Sequence, residues 1–167
     1  EPAWLDEQCL AGRIIWTRLA ARTSDSERGA APVRSRPIAL LPRRNVKQWS
    51  QFSNNIERSQ LTDKARRVAE YIDENGASFY DEIVDHVGLL PVQVEEALGE
   101  LVALGLVNSD SLGGLRALLM PADRRRSSAR DRRRHRGIAI FGMQDAGRWA
   151  LVRRKETKLD EAKPVPP

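Results

Sequence analysis

Eight arginines stand between residues 124 and 136, namely Arg124, Arg125, Arg126, Arg130, Arg132, Arg133, Arg134 and Arg136, with Asp131 the one carboxylate among them. Guanidinium groups this crowded suit phosphate neutralisation, because each presents a planar fork of donors that matches phosphate oxygens. No aromatic side chain interrupts the run. It therefore lacks a platform for stacking bases, and contact with nucleic-acid backbone without sequence preference is predicted. The competing reading is a solvated, flexible insertion, since charge runs are often only that. A second basic cluster comprises Arg34, Arg36, Arg43, Arg44 and Lys47. Alternation around Val33 and Ile38 predicts that several of these share one face of a strand.

Other chemistries find little support. The chain has no G-x-x-x-x-G-K-[ST] phosphate loop and no G-x-S-x-G elbow, so ATP hydrolysis by this chain alone is not expected. Asp81-Glu82-Ile83-Val84 resembles a helicase acidic box but lacks the nucleotide loop it would serve, and reads as solvated helix-face carboxylates. His86 has no nucleophile assignable to it and reads as a helix-end histidine favoured by the dipole. Cys9 reads as a packed small hydrophobe. One cysteine and two histidines cannot assemble a disulfide framework or a four-ligand zinc cage, so no metal is expected.

The 167 residues allow one ordinary domain or two small ones, and 31% charged against 5% aromatic residues predicts a small core with polar appendages. The net charge of +5 conceals its distribution. Residues 13–48 carry nine basic groups against Asp25 and Glu27, and 121–136 carry eight against Asp123 and Asp131, whereas 61–105 carry three basic groups against ten acidic ones. Two basic surfaces flanking an acidic module are the electrostatic footprint of phosphate binding. Apolar stretches fall far below the roughly 18 residues of a membrane span, and Glu1 opens the sequence without a basic, apolar leader, so no membrane partner and a cytoplasmic location are expected.

The spacing of apolar residues predicts the elements that must hold these charges. Leu5, Cys9 and Leu10 form an apolar helix edge stopped by Gly12, and Arg13 to Thr17 reads as a strand. Residues 20–31 read as a loop, 32–41 as a strand interrupted or kept at an edge by Pro37, and 46–52 as one or two helical turns with Val46, Trp49 and Phe52 on one side. Thr62 caps a helix to Asn75 whose buried stripe is Ala65, Val68, Ala69 and Ile72, closed by Gly76. Ser78 with Asp81 reads as a capping box opening a second helix, with Phe79, Ile83 and Val87 inward and Gly88 at its end. A third helix starts at Pro91, buries Val94, Leu98, Leu101 and Val102, and ends at Gly105. Its outward face is predicted to present Gln93, Glu96 and Glu100; two carboxylates there, with no arginine or lysine between Pro91 and Gly105, repel phosphate and argue against this helix docking in a major groove. Leu106 to Asn108 and Arg148 to Val152 read as paired strands, with a possible helical turn over 112–120 between them. The basic run is expected to be disordered and residues 155–167 to be a linker.

The fold class predicted is α+β: a winged helix, of three helices plus a β-hairpin wing with a long basic insertion, preceded by part of a β-barrel-like unit. The expected boundaries are 1–60 for the helix end and barrel-like strands, 61–152 for the winged helix with its insertion at 121–137, and 153–167 for the linker.

The stretches WLDEQCLAGRIIWTRL, PIALLPRRNVKQW, residues 61–119 with ALGELVALGLV inside them, and the closing GRWALV resemble the C-terminal region of bacterial large helicase-related proteins, the long Lhr family. The resemblance extends over nearly the whole chain. It implies a parent that is an ATP-dependent DNA helicase acting in DNA repair, with ATP and magnesium confined to a core that this chain lacks, and so no cofactor here. The family's C-terminal region is built of winged helices and a β-barrel and is similar to a bacterial DNA glycosylase family. No residue here matches the catalytic glycosylase motif, so no catalytic residue is carried over and release of a base is not expected. The partners implied are DNA, duplex or single-stranded, and the other domains of the parent helicase. The alternative is an interdomain or protein docking module whose acidic helices make the contacts.

Overall fold

The structure, a computed structural model, describes residues 2–18, 37–46, 48, 60–120 and 142–152. Among them are five α-helices and two small antiparallel sheets, an α+β architecture.

Helix α1 (Pro2–Leu10) ends in a turn through Gly12, whose φ of +67° places it in the left-handed region. Strand β1 (Ile14–Thr17) then pairs antiparallel with β2 (Ala39–Pro42), Trp16 opposite Leu40. This is the expected helix-to-strand handover, with one difference. Cys9 is buried, but Leu10 is 63% exposed and takes no part in the apolar edge. The second strand begins only after Pro37, whose missing N–H cannot extend the ladder. Residues 20–36, 49–59, 121–141 and 153–167 lie outside the described residues. With them fall the expected loop at 20–31, the start of the strand at 32, Trp49 and Phe52 of the helical turns, the disorder of the basic run and the terminal linker.

Helix α2 (Asp63–Asn75) forms as its periodicity dictates. The Thr62 hydroxyl accepts from the Ala65 N–H at 3.3 Å, Gly76 closes the end, and Ala65, Val68, Ala69 and Ile72 are buried. Strand β3 (Ser78–Phe79) follows, a two-residue element the sequence reading missed. Helix α3 (Tyr80–Val87) opens differently from expectation. Phe79 is its N-cap residue and donates its N–H to Glu82 Oε2 at 2.7 Å, while Ser78 Oγ donates to the Gly76 carbonyl. Tyr80 rather than Phe79 faces inward beside Ile83 and Val87, and Tyr80 Oη donates to the Pro91 carbonyl at 2.9 Å. Helix α4 (Pro91–Ala103) buries Val94, Leu98, Leu101 and Val102 as predicted.

Strand β4 (Val107–Ser109), helix α5 (Leu112–Leu119) and strand β5 (Arg148–Leu151) complete the fold. The second sheet has the order β3-β5-β4, so β5 takes the centre and pairs antiparallel on both sides: Val107 opposite Leu151, Phe79 opposite Arg148. What the sequence showed as a possible turn at 112–120 is a full helix, in which Gly113 and Gly114 are buried. The core gathers Cys9 and Trp16 with the buried residues of α2 to α5, Met143 and Trp149. The first segment is tied to the rest by directed bonds. Trp16 Nε1–H donates to the Ser111 carbonyl at 2.9 Å, Asn108 Nδ2–H to the Trp16 carbonyl at 3.2 Å, and Arg116 pairs with Asp6 across 2.6 Å.

Candidate nucleic-acid interface

Of the arginines proposed for phosphate contact, Arg43 and Arg44 are among the described residues; Arg34, Arg36, Arg124, Arg125, Arg126, Arg130, Arg132, Arg133, Arg134 and Arg136 lie outside them, as does Lys47. Arg43 and Arg44 do not alternate along a strand. They occupy a single 3-10 turn, Arg43–Asn45, directly after β2, and both are exposed. The Arg43 N–H donates to the Arg13 carbonyl at 2.9 Å, which continues the β1–β2 ladder and fixes where its side chain starts.

Arg43 lines a cleft of about 430 Å³ between the end of α1 with β1 on one side and β4 with β5 on the other. Arg148 lines the same cleft, together with Asn108, Asp110 and the backbone of β5. Arg148 was not among the arginines singled out from sequence, because it stands alone in a strand pattern rather than in a charge cluster. Its position is set by a tight turn. Gly147 has φ +76°, Asp110 Oδ1 accepts the Arg148 N–H at 2.9 Å, and a Cβ at Gly147 would collide with that carboxylate. Gly12 lies on the opposite side, where space is less restrictive than backbone. A Cβ there would lie 3.6 Å from an Arg43 guanidinium nitrogen, and its left-handed backbone disfavours any side chain.

The basic side chains divide into two groups. Lys64 pairs with Glu96, Arg66 with Asp63 and Arg116 with Asp6, while Arg67 donates to the Val87 carbonyl and Arg13 to Gln8. The side chains of Arg43, Arg44 and Arg148 have neither a carboxylate nor another hydrogen-bond acceptor among the described residues. Arg148 instead lies over the Phe79 ring, its guanidinium carbon 5.1 Å from the centroid.

Gln93, Glu96 and Glu100 lie outside the core, as expected of the outward face of α4, and each has a partner. Gln93 accepts from the Leu90 N–H, Glu96 holds Lys64 at 2.8 Å, and Glu100 accepts from both the N–H and the hydroxyl of Thr62. Glu96 and Glu100 thus join α4 to the start of α2, while Gln93 caps α4 itself. His86 sits in the last turn of α3 with Nδ1 at 2.8 Å from the Glu82 carbonyl, and its ring stacks on Tyr71. Cys9 borders the cleft, and burial, with the Asp6 carboxylate adding to it, pushes its thiol above the usual range. No cluster of three potential metal ligands occurs among the described residues, and no helix among them is long and apolar enough to cross a membrane. No protein-family model and no curated protein matches this chain.

Proposed function

We propose that this chain is a DNA-binding accessory segment, related to the C-terminal region of Lhr-type ATP-dependent DNA helicases of repair, that grips nucleic-acid backbone through arginines. One observation carries the reading: Arg43 and Arg148, from different elements, line one cleft with no carboxylate partner among the described residues, whereas Lys64, Arg66 and Arg116 are paired. Free guanidinium groups converging on a groove supply the sequence-neutral part of binding. The basic run from Arg124 to Arg136 adds to this charge in the sequence.

The finer fold reading is a winged helix over 61–152, preceded by part of a β-barrel-like unit. It is supported by the order α2, β3, α3, α4, β4, β5 and by the central place of β5 in the sheet. In this reading β4 and β5 form the wing, and α5 with the basic run is inserted between them. No cofactor is required, and the ATP and magnesium of the parent act elsewhere.

Docking to another protein is the second reading, and the exposure of Leu90 (67%) and Val92 at the start of α4 favours it. Fluorescence anisotropy with duplex and single-stranded oligonucleotides separates the two. Replacing Arg43, Arg148 and the eight arginines of 124–136 by glutamine is expected to abolish retention. Unchanged retention would refute the nucleic-acid reading.

A further inference from the structure

Backbone gripping alone does not distinguish single strands from duplex. The surroundings of Arg148 do. Phe79 lies on β3, at the edge of the sheet, opposite Arg148 on β5, and 44% of it is exposed. Its side chain contributes nothing to capping α3, since the bond to Glu82 comes from its backbone N–H. Tyr80, the next residue, fills the core position. An aromatic ring in that situation is free for another use.

The Arg148 guanidinium both lines the cleft and covers the Phe79 ring at 5.1 Å. A phosphate held by Arg148 would therefore place its own base beside Phe79. Flat guanidinium and aromatic faces are the two surfaces on which unpaired bases stack, and stacking of this kind tolerates any base. The cleft volume of about 430 Å³ suits a group the size of a nucleotide.

We propose that Phe79, together with Arg148 on the wall of this cleft, is a stacking site for an unpaired base, so that the segment binds single-stranded nucleic acid, with Arg43 and Arg148 on the phosphates and Phe79 against the base. This rests on the nucleic-acid reading above and gives it a strand preference. The basic run, which lacks aromatic residues, cannot supply such a preference.

The test uses the full chain with a single-stranded oligonucleotide carrying 2-aminopurine and with a duplex of the same sequence. Binding is expected to quench the fluorophore in the single strand. Phe79→Ala is expected to weaken single-strand binding at least about fivefold, the lower end of one stacked base, and by several times more than it weakens duplex binding. Phe79→Leu, which keeps apolar bulk, should behave like Phe79→Ala, and Phe79→Trp should restore both affinity and quenching. If the protein binds oligonucleotides but Phe79→Ala and Phe79→Leu leave single-strand affinity and quenching unchanged, the stacking site is wrong and the backbone-binding reading stands. If the unaltered chain binds neither oligonucleotide, both are overturned.

Discussion

Gly147 and Asp110 together decide where Arg148 points. A methyl group at position 147 would meet the Asp110 carboxylate and sit on a left-handed backbone that L side chains disfavour, so Gly147→Ala is expected to destabilise the fold by about 2 kcal/mol or more. A urea titration measures this directly, and oligonucleotide affinity should fall with it. Cys9 makes a different prediction. Its folded-state pKa is raised by burial and by Asp6, so as pH climbs past the ordinary thiol value of about 8.5 the unfolded chain ionises first and gains stability relative to the folded one. The contribution is complete below that pH and is lost as pH rises through the folded value. Unfolding free energies measured from pH 7 to 10 should decline more steeply for the natural chain than for Cys9→Ala. The packing role of Cys9 was legible from its place on an apolar edge. The role of Arg148 was not, because a lone arginine in a strand has no local signature and its meaning comes from Phe79, sixty-nine positions away in sequence.

Elements with long periodic patterns were readable from sequence, and short ones were not. Helices α2 and α4 each repeat their apolar residues over 13 positions, and cap and stop residues bracket α2, so their bounds and buried faces emerged together. Strand β3 has two residues, too few for any alternation, and it exists because β5 offers it a partner. Helix α5 was underestimated because Gly113 and Gly114 lower its helix propensity. Gly114 is accommodated by close packing on the Ser109 side chain and on Trp149. The misassigned capping box has a similar origin: Ser78 and Asp81 have the box spacing, but β3 extends through Phe79 and the helix opens one residue later, with Phe79 and Glu82. The link between β1 and α5 can be tested through Trp16, buried with its Nε1–H on the Ser111 carbonyl. Trp16→Phe keeps most of the apolar area but removes that bond and leaves the Ser111 carbonyl to the Ser109 hydroxyl alone, and a loss of roughly 0.5–1.5 kcal/mol is expected from urea titration. A value near zero would mean that the two segments are not held together by this bond.

The molecule as a whole separates its charge along the chain, with basic residues before and after an acidic helical stretch. Much of that acidity is internally engaged: Glu96 and Glu100 bind the start of α2, and Glu82 caps α3. Affinity for duplex should therefore depend steeply on salt. If about five arginines engage phosphates, the log–log slope is near −4.5, and replacing Arg43 and Arg148 by glutamine should make it shallower by roughly 1.8. Equilibrium titrations at three or more salt concentrations read this out, and a slope near zero contradicts it.

The sheet order has a consequence for how the chain is made. Among the described strands, the one that takes the middle, β5, is the last to be synthesised, and both of its neighbours emerge from the ribosome well before it. Until residues 148–151 arrive, Ser78 and Ser109 have no ladder to join and the hollow that Trp149 fills stays open. Native assembly is thus timed by translation of a single tetrapeptide, and a ribosome stalled just short of it would carry a nascent chain with helices in place and two strand edges still seeking a partner.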